Sequence, residues 1–226
     1  GMRTIEKIDP NFTVQTAIDR PGIKFYPANS DLFSLSGVFW RDGRFHRMPA
    51  DAAKQVSGGV YELHTQTAGG RLRLCTTSSY VAISARMGFV GKMPHFALTG
   101  SAGFDLYERI GGKQVYMGSF IPPFDVEDHF ESIVELGNSG MHELTIHFPL
   151  YSGVDYLHIG LEDTAIITPA PSYTHPKPVV FYGSSITQGG CASRPGNAYP
   201  NMLSLMLDCD HINLGFSGCA KAEDAM

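Results

Sequence analysis

Thr168-Pro169-Ala170-Pro171-Ser172-Tyr173-Thr174-His175-Pro176-Lys177-Pro178-Val179-Val180-Phe181-Tyr182-Gly183-Ser184-Ser185-Ile186-Thr187-Gln188-Gly189 is the stretch where the chain changes its grammar. Four prolines lie between Thr168 and Pro178. They make the segment stiff, extended and poor in backbone donors, so residues 169–178 read as an interdomain linker. The apolar run Val179-Val180-Phe181-Tyr182 has the character of a strand buried in a parallel sheet. Gly183 and the small residues after it form a turn at its carboxyl end.

Upstream, residues 1–168 read as strands punctuated by turns. The predicted strands are residues 23–26, 36–40, 59–64, 71–75, 80–87, 104–110, 114–120, 132–136, 143–148 and 156–161. Arg71-Leu72-Arg73-Leu74-Cys75 alternates, which puts Leu72 and Leu74 on one face. Gly111-Gly112 is a strong hairpin signal, because both residues can take positive φ. Short strands at regular spacing predict a mainly β sandwich of jelly-roll type. Residues 51–55 can form a single helical turn, and no other helix is expected here.

Downstream, Asn197 is a candidate helix cap and Pro200 fits a first turn. Met202, Leu203, Leu205, Met206 and Leu207 supply the apolar side. Residues 211–214 read as a second strand that ends in Gly215-Phe216-Ser217-Gly218, and residues 221–226 as the start of another helix. Strand, turn, helix and strand make the opening βαβ of an α/β domain of flavodoxin-like type. The 48 residues from 179 to 226 are too few for a doubly wound domain, so the second domain is expected to be cut short. Its exposed apolar faces should lean on the sandwich, pair with another copy in a homo-oligomer, or be poorly ordered.

Composition narrows the function classes. A net charge of −5 offers nothing to a phosphate backbone, so no nucleic-acid partner is expected. No apolar run reaches the length of a membrane span, so no membrane partner is expected either. Gly1-Met2-Arg3 begins no signal-peptide core; unless a leader has been removed, this points to the cytoplasm. Cys75, Cys191, Cys209 and Cys219 show neither CxxC nor zinc spacing and read as buried or half-buried thiols. No metal or organic cofactor is implied.

In an open parallel sheet, sites form beyond the carboxyl ends of the strands. Both small-residue turns lie at such ends, so a serine on the first and amides from both could attack an acyl carbon and hold its oxyanion. Tyr182-Gly183-Ser184-Ser185-Ile186-Thr187-Gln188-Gly189 resembles the first block of the SGNH (GDSL-type) hydrolases, and Asn213-Leu214-Gly215-Phe216-Ser217-Gly218 resembles their second. Gly103-Phe104-Asp105-Leu106-Tyr107 is similar to the GxDLY signature of β-sandwich domains that precede one branch of that family.

The resemblance implies a serine esterase in which Ser185 is the nucleophile and the amides of Ser185 and Gly218 are oxyanion donors. Acylated carbohydrate or another small ester would be the substrate, with acetyl groups a candidate acyl group. Ser184 stands where the family usually has aspartate. Thr187 removes the GxSxG elbow of α/β-hydrolases. The family's later asparagine block and its Asp-x-x-His block are not in this sequence, so these residues alone are expected to be nearly inactive.

Two internal Asp-x-x-His matches, Asp155/His158 and Asp208/His211, are both rejected as the base. The first pair falls on a predicted strand with odd spacing, which sends the side chains to opposite faces. The second lies at the amino end of its strand. Ser217 reads as a turn serine and Cys191 as a buried spectator. Arg194 is either a substrate-binding or a structural arginine. Asp105 and Tyr107 share a strand face and are expected to act structurally, within the sandwich or against the hydrolase half. The acidic residues Asp125, Glu127, Asp128 and Glu131 lack calcium-loop spacing and read as a solvated loop. Trp40 and the tyrosines are either core or a sugar platform. The rival reading from another class is a carbohydrate- or partner-binding sandwich with a vestigial hydrolase segment.

Overall fold

A computed structural model describes residues 15–138, 140–222, 224 and 226. The first strands are β1 (Ile23–Pro27), β2 (Ser34–Ser36), β3 (Phe39–Arg41) and β4 (Arg44–His46). Two short helices follow, α1 (Ala50–Val56) and α2 (Gly58–Leu63). Next come β5 (Arg71–Thr76), β6 (Tyr80–Phe89), the one-turn α3 (Leu98–Ser101), β7 (Phe104–Ile110) and β8 (Lys113–Phe120). The sandwich closes with β9 (His129–Glu135), β10 (His142–His147), β11 (Gly153–Glu162) and β12 (Ile167–Thr168). The last part holds β13 (His175–Gly183), α4 (Ser185–Gln188), α5 (Tyr199–Leu207) and β14 (Cys209–Gly215).

The order β1-β11-β6-β9 makes one antiparallel sheet; β12-β5-β10-β7-β8, with β2 also on β5, makes the other. Gly111 (φ +57) and Gly112 (φ +79) turn β7 into β8 as their sequence predicts. The core lies between the two sheets. Leu72, Leu74, Leu106, Leu144 and Ile146 meet Val81, Ile83, Val134, Leu157 and Ile159 there. Burying each of these side chains is worth about 1.5–3 kcal/mol.

Alternation then dictates the other face of the six-stranded sheet. Positions 71 and 73 of β5, 105, 107 and 109 of β7, and 143 and 147 of β10 point away from the core. They are Arg71, Arg73, Asp105, Tyr107, Arg109, Glu143 and His147. Such residues would ordinarily face water, yet Arg71, Asp105 and His147 are buried to 1% exposure or less. The parallel pair β13–β14 and its helices cover them.

Polar contacts tie that cover to the sheet. Asp105 Oδ2 accepts the Gly196 N–H at 2.7 Å, and Asp105 Oδ1 pairs with His147 Nδ1 at 2.8 Å. Arg194 Nε donates to the Tyr107 hydroxyl at 3.2 Å. Arg71 pairs with Asp210, donates to the His211 carbonyl at 3.1 Å and donates to the Tyr173 hydroxyl at 3.0 Å. Arg109 bridges Glu143 and Asp208. Of the three outcomes expected for the segment after Pro178, the structure shows the first: it leans on the sandwich.

Several expectations are corrected. Residues 59–63 form helix, not strand, because the Ser57 hydroxyl accepts the Val60 N–H and caps the start of α2; His64 caps its end. Val60 then packs with Ala53, Val56 and Phe216, so α1 and α2 are two helices where a single turn was expected. The predicted strand 36–40 is split at Gly37 (φ +74), which a Cβ would drive into the Gly69 carbonyl. Asn197 does not cap α5: it ends a 3-10 turn and donates to Ser193 Oγ, and Ala198 is the cap residue. Residues 221, 222, 224 and 226 are not helical, and the rest of the helix expected over 221–226 lies outside the described residues. Cys191 is exposed, with φ +63, and is not a buried spectator.

Two outcomes follow from the buried polar face. Asp105→Ala leaves the Gly196 amide and the His147 ring without their acceptor, and urea titration should show a loss of about 3 kcal/mol; a change under about 1 kcal/mol would contradict the buried pairing. Burial first, then the nearby Arg71 and His147, push the His211 pKa down from 6.5 to about 2. The unfolded chain therefore binds the extra proton between those two values, so this group's stability is full above pH 6.5 and drains as pH falls towards 2. Thermal melts at about pH 7 and about pH 4.5 should show a drop that His211→Gln makes smaller.

Candidate active site

β13 and β14 run parallel with Gly183 opposite Gly215 at their carboxyl ends. Ser185 follows the first strand by two residues and opens α4; Gly218 follows the second by three. The two predicted site residues therefore stand on the same rim of the βαβ layer. Ser185 is half-buried, whereas Gly218 is exposed, has φ +73 and has no heavy atom within 4 Å of where its Cβ would be.

Glycines set how closely the two turns approach. A Cβ on Gly215 would collide with the Gln188 amide nitrogen, and one on Gly183 with Thr187 Oγ1. Phe216 N–H donates to the Gly183 carbonyl at 2.9 Å. Asn213 ties the turns again, donating from Nδ2 to the Thr187 carbonyl at 2.7 Å and accepting the Gly215 N–H at 2.8 Å.

Side chains from the sandwich fix the same turns from behind. The Tyr151 hydroxyl donates to the Ser185 carbonyl at 3.2 Å. Burial raises the Tyr151 pKa above its ordinary value, which keeps the phenol a donor. Arg47 donates to the Gly215 carbonyl at 2.5 Å and the Leu63 carbonyl at 2.8 Å, and stacks on Phe216 at 4.5 Å. Burial lowers its pKa to about 9, so it remains a cation at neutral pH. Gln188, fully buried, accepts the Ser217 N–H at 3.0 Å and donates to Gln66 and to the Leu150 carbonyl.

The remaining candidates fall into place around this rim. Among the described residues no hydrogen bond joins a histidine to the Ser185 hydroxyl. Asp208 bonds Thr174 and Arg109, and His211 is buried beside Arg71, four residues short of the carboxyl end of β14. Asp155 and His158 lie on β11 of the four-stranded sheet, and the Trp40 indole donates to the Asp155 carbonyl. Trp40 is half-buried, packs against the core and tilts on Tyr156. Arg194 lies 3.9 Å over the Tyr116 ring. It also borders a cavity of about 480 Å³ between the Gly111-Gly112 hairpin and α5, whose wall includes Gln114, Met202 and Met206 but neither Ser185 nor Gly218. Asp125, Glu127 and Asp128 are exposed, and no group of three or more potential metal ligands occurs among the described residues.

Sequence reasoning missed Arg47, Tyr151 and the anchoring role of Gln188. A long polar side chain in a turn of small residues was the one available signal, and it pointed only to Gln188.

Comparison with known proteins gives the family. Residues 23–167 match the model described as GxDLY, the N-terminus of SGNH-hydrolase-type esterases. Residues 176–226 match the GDSL-like lipase/acylhydrolase family. The crystal structure of a protein assigned as a GDSL-like lipase from Bacteroides ovatus ATCC 8483 is 30% identical and superposes with a TM-score of 0.81, over 90% of this chain and 59% of that one. A salicylyl-acyltransferase from a tetracycline biosynthetic pathway shares the fold at 21% identity and a TM-score of 0.65, over 88% of this chain and 55% of that one. The chain thus spans under two thirds of the length of either structure. No curated protein matches it significantly. The chain belongs to the SGNH-hydrolase-type esterases that carry an amino-terminal GxDLY domain.

Proposed function

We propose that the protein carrying this chain is a serine ester hydrolase with Ser185 as nucleophile. The observation that carries this reading is the pairing of Gly183 with Gly215 at the carboxyl ends of two parallel strands. It sets a half-buried serine on the same rim as the exposed Gly218. Ser185 Oγ attacks the acyl carbon as its proton passes to a base. The amides of Ser185 and Gly218 donate to the oxyanion, the C–O bond to the alcohol breaks, and the alcohol takes that proton as it leaves. Water then cleaves the acyl-enzyme by the same path in reverse. Acylated carbohydrate, acetylated sugars in particular, is the proposed substrate class, and it rests on the family alone.

The base is a histidine that the described residues do not bring to Ser185. Residues 1–226 by themselves should therefore hydrolyse p-nitrophenyl acetate poorly, while the natural full-length protein should turn it over. Ser185→Ala in that protein is expected to lower kcat by about 10⁴-fold or more; unchanged turnover would remove the assignment. Acetate released from acetylated oligosaccharide, measured beside the p-nitrophenyl ester, tests the substrate class.

A further inference from the structure

One uncharged side chain bonds to the second reactive turn and to the sandwich at once. Gln188 is fully buried on the last residue of α4, three positions after Ser185. Its Oε1 accepts the N–H of Ser217, the residue before Gly218, at 3.0 Å. Its Nε2 has two hydrogens, and both are used: one goes to Gln66 Oε1 at 2.6 Å, the other to the Leu150 carbonyl at 3.2 Å. Gln66 and Leu150 belong to the sandwich. One amide thus fixes the first turn, the second turn and the sandwich to one another.

The chemistry of the three partners selects an amide. Ser217 N–H needs an acceptor, while the Leu150 carbonyl can only accept. A carboxylate at position 188 would satisfy the first and repel the second. An apolar side chain would satisfy neither, and the buried Leu150 carbonyl with the part-buried Gln66 and Ser217 groups would lose their partner. The short approach of Gly215 to the Gln188 backbone leaves no room for the turn to shift in compensation.

We propose that Gln188, anchored by Gln66 and Leu150, is a positioning residue for ester hydrolysis: it sets the Gly218 amide against Ser185, so the sandwich is a working part of the active centre. The inference rests on the Ser185 reading. A displacement of about 1 Å in such a donor costs on the order of tenfold to a hundredfold in rate.

The test uses the natural full-length protein and p-nitrophenyl acetate, comparing Q188A, Q188E, Q66A, the Q66A/Q188A pair, S185A and, as a reference for loosening the same interface elsewhere, R109A. Q188A should lower kcat about tenfold or more with KM within about twofold. Q66A should lower kcat less, and the double variant should match Q188A alone, because Gln66 acts through Gln188. Q188E keeps the acceptor for Ser217 but loses the anchor, so it should resemble Q66A or be worse. R109A should lower the melting temperature and leave kcat unchanged. The proposal is overturned if Q188A keeps the parent kcat while S185A is inert, or if the Q66A and Q188A losses simply multiply. Should Q188A fail to fold, Q66A decides: kcat equal to the parent's overturns the proposal, and a fall in kcat at constant KM and melting temperature supports it. Full turnover in S185A would instead overturn the nucleophile reading.

Discussion

Arg71, Asp105 and His147 stand on the face of a β-sheet that does not touch its own core, and all three are buried. That is the constraint on which the rest of the molecule depends. A charged or polar group removed from water must be paired, and the penalty for leaving it unpaired is several kcal/mol. His147 pairs with Asp105 within the sheet, and the βαβ segment supplies the other partners: the Gly196 amide for Asp105, Asp210 and the His211 carbonyl for Arg71. The sandwich needs that segment in place to satisfy its own outer face. The segment in turn needs the sandwich, because two parallel strands and a crossover helix cannot bury both of their faces.

The same dependence explains why the GxDLY signature lies far from the reactive turns in sequence. Asp105 and Tyr107 share a strand face, and both reach the loop of residues 194–196 that links α4 to α5. Their partners in that loop are a backbone amide and an arginine that also stacks on Tyr116. The motif is a clasp between the two halves. Arg47, Tyr151 and Gln188 continue that clasp to the carboxyl-end rim, where the nucleophile turn sits. Apolar packing around Phe216 and Ala198 also joins the halves, and the hydrogen bonds add orientation to that contact.

Much of this was legible in the sequence where the signal is local. Alternation in residues 71–75 and the Gly111-Gly112 turn gave strands and a hairpin because side-chain direction and positive φ are properties of single residues. The two hydrolase blocks were readable because glycine is required wherever one backbone approaches another, as Gly215 does Gln188. Residues 59–64 misled because a six-residue run fits both periods. Its contact with Phe216, more than a hundred and fifty residues on, made it a helix. Arg47 carried no signal at all: nothing in its neighbours shows that a lone arginine will be buried against the carbonyl of Gly215.

By itself, then, the sequence determined most of the strands, the Gly111-Gly112 turn and the residue types able to carry acyl transfer, since each depends on chemistry within a few residues. Only the tertiary structure decided which polar side chains would be buried, and hence that Asp105, Tyr107 and Gln188 serve the joint between the halves. Burial is settled by what the far end of the chain lays over a surface, and no local pattern contains that.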